Sequence, residues 1–82
     1  MAILRKLKRI LTEQFPAPDK VRLEDHDGVI GSISSERFKQ MDSMDRHDFI
    51  RKILVAHLTP KEMRQIQVIV GVTHEEYDLM GV

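Results

Sequence analysis

Imidazole is the side chain best suited to proton transfer or metal ligation near neutral pH, and this 82-residue sequence carries four, at His26, His47, His57 and His74. Their spacing supports little of either chemistry. No two stand at the i, i+4 spacing that sets a pair of imidazoles on one helix face, and no glutamate completes a zinc motif. His26 falls in the polar stretch His26-Asp27-Gly28, exposed as a ligand must be, yet without partners it reads first as a polar loop residue. His47 follows Arg46 at the start of a helix and has two readings, a metal or phosphate contact or a structural residue that hydrogen-bonds the preceding loop. The second is preferred, because the positive end of the helix dipole disfavours imidazolium there. Asp42, Asp45 and Asp48 surround His47 in sequence, but on a helix His47 points away from the Asp45–Asp48 pair, and Asp42 and Asp45 serve better as first-turn acids. His57 is expected at the boundary of an apolar helix face, and His74 is expected to face solvent. Glu75 and Glu76 are consecutive and do not face one another, and no Ser, His and acid set sits on a recognisable elbow, so nothing points to an enzyme.

The cations offer a different chemistry. Arg5, Lys6, Lys8 and Arg9, with Arg37 and Lys39 beyond them, could meet phosphates of a nucleic acid or a membrane surface; the plainer reading is the solvated face of a helix docked on a sheet. Thirteen basic residues balance thirteen acidic ones, so no whole-molecule field draws the chain to nucleic acid or anionic lipid. One Tyr and no Trp leave few platforms for stacking bases. Gly28-Val29-Ile30-Gly31 spells the backbone-clamping GxxG of KH domains, but it lies within a hairpin and not between two helices. The absence of Cys removes disulfides, thiolate catalysis and thiolate-held metal from the chain's own repertoire. No apolar run approaches the roughly 18 residues of a membrane span, and the first residues alternate charge and apolarity unlike a signal peptide. A mature, cytoplasmic protein without membrane contact is therefore expected.

The elements that must position these residues follow from pattern. Residues 1–82 make one domain, of a size that buries only about 60% of the surface of its unfolded chain. Ile3, Leu4, Leu7, Ile10 and Leu11 recur at helical spacing, so residues 2 to about 14 form an amphipathic helix that Pro16 and Pro18 end. Residues 21–25 and 29–33 alternate as strands around His26-Asp27-Gly28, with Gly28 expected in the left-handed conformation. A three-residue loop pairs Val21 with Ile33, Leu23 with Gly31 and Asp25 with Val29, which puts Val21, Leu23, Val29 and Ile33 on one side; a two-residue turn mixes Ser32 and Ser34 into that side. Ser34 or Ser35 caps a short helical turn through about Gln40, and Asp42 or Ser43 caps the longest helix, whose inward face is Phe49, Ile50, Ile53, Leu54, His57 and Leu58. Thr59-Pro60-Lys61-Glu62 and Thr73-His74-Glu75-Glu76 are capping boxes, opening a short helix to about Arg64 and a last helix to about Met80. Between them, the β-branched run 66–72 is a strand covered on one face. A strand returning through a helical crossover lies parallel to its predecessor, which predicts an α+β sandwich of a three-stranded mixed sheet with helices on one face.

Ser35-Glu36-Arg37-Phe38, then seven residues, then Arg46-His47 resembles the signature of the BolA-like family, in which a strand ending in Ser-Glu-Arg-Phe leads through a turn to an Arg-His pair opening the main helix. The Val-Arg-Leu-Glu-Asp strand and Thr73-His74-Glu75-Glu76-Tyr77 are similar to other parts of the family pattern, so the resemblance spans nearly the whole domain. It implies a divergent BolA-like fold, αββααβα, related in topology to class II KH domains. It also implies a non-enzymatic partner of a monothiol glutaredoxin in iron–sulfur, redox or stress regulation, sharing a [2Fe-2S] cluster held by glutaredoxin and glutathione thiolates and a family histidine; some bacterial members are described as transcriptional regulators. The chain departs from the pattern at three places. The family's ligand His lies in an Ile-His-Ala type motif at the start of the last strand, where this chain has Arg64-Gln65-Ile66-Gln67. Its hairpin is shorter, and the Thr59-Pro60 turn lengthens the connection to the last strand. Under this resemblance His26 and His47 are the candidate contributors to a shared cluster, and under the KH-like alternative Arg5, Lys6, Lys8, Arg9, Arg37 and Lys39 are the candidate nucleic-acid contacts.

Overall fold

In the computed structural model, which describes residues 2–80, the apolar stripe of the first helix turns inward as its spacing predicts. Ile3, Leu7, Ile10 and Leu11 are buried along α1 (Ala2–Gln14), while Arg5, Lys8 and Arg9 stay exposed. Strands β1 (Lys20–Asp25) and β2 (Val29–Ser34) form the hairpin in the expected register, Val21 opposite Ile33, Leu23 opposite Gly31 and Asp25 opposite Val29. The register holds because it alone sends Val29 and Ile33, both buried, to the same face as Val21 and Leu23. One detail of the loop differs from expectation. Asp27, not Gly28, takes the left-handed conformation at φ 54°, and Gly28 follows at φ 135°, a region that residues with a Cβ rarely enter.

The crossover from β2 runs through the 3₁₀ turn Glu36–Phe38, helix α2 (Ser43–His57) and helix α3 (Pro60–Met63) to β3 (Ile66–Val72). Helix α4 (His74–Met80) follows. Each start has its cap: Ser35 accepts from the N–H of Arg37, Asp42 from that of Asp45, and Thr59–Glu62 is a reciprocal capping box. Thr73 and Glu76 form the second box, the Thr73 N–H donating to Glu76 Oε1 at 2.8 Å and the Glu76 N–H to Thr73 Oγ1 at 3.2 Å. β3 pairs in parallel with β2, giving the order β1-β2-β3 with β1 and β3 at the edges. The fold is α+β with a three-stranded mixed sheet.

Helices α1 and α2 share one face of that sheet, while α4 places Tyr77 against Lys20 of β1, with Nζ 5.3 Å from the ring centroid. Leu7 and Leu11 of α1, and Ile50 and Leu54 of α2, join Ile33 and Ile69 in a single core, while Ile30, Ser32, Val68 and Val70 lie on the uncovered side. At the centre Phe38 packs against Phe15 and Phe49, with ring centroids 5.7 and 6.1 Å away. Gly71 lets β3 approach this cluster: a Cβ on it would stand 2.9 Å from Phe38 Cζ, and Phe38 has no exposed surface through which to retreat. G71A is accordingly expected to destabilise by about 1–3 kcal/mol, read as a lower urea midpoint at unchanged slope. An unchanged midpoint would mean that the ring has room to move. Among the described residues no helix is long and apolar enough to cross a membrane.

Candidate functional site

Arg46 and His47 are adjacent in the first turn of α2, and one step along a helix, about 100° of rotation, sends them to different places. Arg46 turns inward, with its side chain 15% exposed. Its Nε donates to the carbonyls of Phe38 and Met41, both at 3.0 Å, and its Nη1 donates to the carbonyl of Gly71 at 3.2 Å and to Glu76 Oε1 at 2.7 Å. One planar fork therefore joins the 3₁₀ turn, the start of α2, the end of β3 and the start of α4, a task suited to a guanidinium with five fixed donors. His47 is exposed, and no hydrogen bond from its ring is found among the described residues. The loop-holding role expected of His47 belongs to Arg46. The missed signal was helical spacing: Arg46 continues the inward stripe of Phe49, Ile50, Ile53 and Leu54 by one turn.

His47 instead borders a groove of about 200 Å³ between α2 and β3, with Ile50, Leu54, Met63 and Ile69 in its walls and Arg51 beside it. His26 lies elsewhere. Its Nε2 is 2.9 Å from Glu24 Oε2 and its side chain is 64% exposed. The next residue of the hairpin loop, Asp27, accepts through its carbonyl from Gln67 Nε2 at 2.9 Å, so the loop is tied to the first part of β3. Arg46 ties the first turn of α2 to Gly71, four residues further along the strand, roughly 13 Å at about 3.3 Å per residue. The two candidate ligand histidines have different neighbours: His26 pairs with Glu24 in the hairpin, and His47 lines the groove beside β3. Among the described residues no group of three or more His, Asp or Glu side chains is arranged to hold a metal ion.

The other histidines depart from expectation. His57 is exposed rather than at the core boundary, and its Nδ1 lies 2.9 Å from the carbonyl of Ile53. His74 does not face solvent freely: its side chain is 32% exposed, with Nε2 3.3 Å from Asp19 Oδ1 and Nδ1 3.6 Å from Glu36 Oε1. Both acids come from distant segments, which is why the capping-box pattern around His74 did not reveal them.

The six candidate phosphate contacts also separate. Lys6 Nζ donates to both carboxylate oxygens of Glu62 at 2.9 Å, pinning α1 to α3. Arg37 lies over the rings of Phe15 and Phe49, 4.6 and 5.9 Å from their centroids, and donates to the carbonyl of Gln14 at the end of α1. It covers the aromatic cluster and caps a helix, both as a guanidinium readily does. Arg5, Lys8, Arg9 and Lys39 remain exposed.

Two carboxylates of the capping boxes respond to acid. Glu76 is held below the ordinary glutamate value of 4.5 first by the Thr73 N–H and then by Arg46, and Glu62 likewise first by the Thr59 N–H and then by Lys6. A lowered folded-state pKa contributes stability that is fully present above the unfolded value and is lost as pH falls through the folded one. Denaturation midpoints are therefore expected to be level near pH 7 and to fall on acidification below about pH 5. The fall should be shallower in E76Q; an identical slope in E76Q and the parent chain would exclude a contribution from Glu76.

Compared with known proteins, the chain matches no family model, no curated protein and no solved structure.

Proposed function

We propose that the chain is a divergent BolA-like, class II KH-related domain without enzymatic activity, acting in the cytoplasm by contact with a monothiol glutaredoxin-type protein in iron–sulfur, redox or stress regulation. The observation that supports this most directly is the bond from Arg46 Nε to the Phe38 carbonyl. It joins the two halves of the Ser35-Glu36-Arg37-Phe38 and Arg46-His47 motif in space, so the spacing on which the resemblance rests has a physical reason. The element order, with α3 additional to the family's αββααβα pattern, and the mixed sheet support the same reading.

A [2Fe-2S] cluster shared with the partner finds no histidine at the family's ligand position: the amide of Gln67, in the segment where the family carries its ligand, is spent on the Asp27 carbonyl, and His26 and His47 have different neighbours. The proposal is therefore one of protein contact, with any cluster thiolates belonging to the partner and to glutathione. Mixing the protein with a cluster-loaded monothiol glutaredoxin and following size-exclusion and visible circular dichroism tests it. Co-elution is expected; separate elution with an unchanged spectrum removes the reading.

A second reading, a KH-like nucleic-acid-binding or transcription-regulatory module, is favoured by the exposed Arg5, Lys8 and Arg9 on one helix. It requires DNA or RNA affinity that falls with a log–log salt slope of about −2 to −3 for three phosphate contacts. Absence of binding at low salt ends it.

A further inference from the structure

We infer that the groove between α2 and β3 receives an extended, acidic peptide segment of a partner protein, which adds to β3 as a fourth strand. Among the described residues the strand has an unpartnered edge, because β2 is its one neighbour in the sheet. The Ser35 N–H donates to the carbonyl of Val72, so by the alternation of a parallel ladder Val68, Val70 and Val72 direct their backbone groups to β2, and Ile69 and Gly71 direct theirs outward. The bond from Arg46 to the Gly71 carbonyl confirms that direction and closes the far end of the edge. The Ile69 N–H and carbonyl therefore face the open edge of the sheet. Edge strands are ordinarily blunted by Lys or Pro, yet the β3 sequence Ile-Gln-Val-Ile-Val-Gly-Val contains no charge and no proline. Val68 and Val70 are 48% and 41% exposed beside it.

The occupant follows from the walls. A helix lying beside a free strand edge forms a slot for one extended chain, whose main-chain bonds supply affinity and whose alternate side chains enter the groove. Ile50, Leu54 and Met63 offer an apolar wall to such side chains, and Arg51 and His47 border it, with no acidic residue among those lining it. Apolar side chains alternating with carboxylates complement that surface. A second copy of this chain fits it less well: its β3 carries no carboxylate to meet Arg51, and on its other edge, β1, Glu24 already faces Arg22 and His26 while Asp25 accepts from the Gly28 N–H. A nucleic acid would find one arginine and no Phe, Tyr or Trp side chain in the groove.

This inference rests on the reading of the chain as an interaction protein but not on the glutaredoxin, so the two are tested apart. A random twelve-residue peptide library displayed on phage is panned on the full chain, and an enriched peptide is titrated into 15N-labelled protein. Expected are enrichment of Asp or Glu alternating with β-branched residues, and shifts with slowed exchange at the Ile69 amide and its strand neighbours. Binding about tenfold weaker in R51E is also expected, with preference for a lysine-substituted peptide in its place. Failure to enrich, enrichment without acidic residues, or shifts confined to α1 or the uncovered sheet face overturns the proposal. So does protection of the Ile69 amide by self-association without peptide, or by an oligothymidylate in place of one. Because no cluster or glutaredoxin is present, a negative result here leaves the co-elution result standing, and the reverse holds too.

Discussion

Replacing Phe38 with Ala is expected to cost about 3–5 kcal/mol, a large share of the roughly 5–15 kcal/mol that holds a domain of this kind together. The ring is fully buried, stacks among Phe15 and Phe49, and fills the space over Gly71. Collapse into the cavity is limited, because the wall on the β3 side is a glycine with no side chain to move in. Arg37 would also lose the ordered platform it covers, since Phe15 and Phe49 are held in place by the ring between them. Urea denaturation followed by circular dichroism measures the loss. A cost below about 1 kcal/mol would show that the aromatic cluster repacks and is not the centre of the core.

Arg46→Ala is expected to destabilise by about 2–4 kcal/mol, while His47→Ala should stay within about 0.5 kcal/mol of the parent chain. The contrast between neighbours is the informative part. Removing the guanidinium leaves the carbonyls of Met41 and Gly71 without their donor and releases the start of α4, whereas the imidazole of His47 is exposed and holds nothing. Arg46→Lys should recover only part of the loss, because a single ammonium cannot reach four acceptors in three segments with the geometry of a fork. Equal effects of R46A and H47A in the same denaturation experiment would sink this assignment.

The same pair marks where reading the sequence succeeded and where it stopped. The first turn of α2 was legible because Asp42 is a good cap and Phe49, Ile50, Ile53 and Leu54 keep helical spacing. The inward turn of Arg46 is legible as well when the stripe is extended by one turn toward the start of the helix. The arginine is accepted because carbonyls freed by the 3₁₀ turn, by the loop after it and by the end of an edge strand converge on one spot. A one-dimensional pattern does not show that convergence. His74 differs from its expected exposure for a related reason: the capping box around it is local, but Asp19 and Glu36, which face its two ring nitrogens, are brought in by the packing of other segments.

The candidate sites divided along the same line. Lys6 and Arg37 had the right charge and exposure pattern for phosphate, and their commitment to Glu62 and to the Phe15–Phe49 surface depended on residues remote in sequence. His26 and His47 were both plausible ligands taken singly. In the folded chain His26 pairs with Glu24 and His47 lines the α2–β3 groove, and the second of these depends on residues remote in sequence.

By itself the amino-acid sequence determined the elements, their order and the hairpin register, since caps, periodicity and alternation act within one turn of helix or between two adjoining strands. Those are interactions between residues a few positions apart, and their geometry is nearly the same in every protein. Tertiary structure alone decided which charged side chains are spent on the fold, which acids meet His74, and which strand edge is left without a neighbour among the described residues. Each of these depends on where segments distant in sequence meet, and that is set by the packing of the whole core.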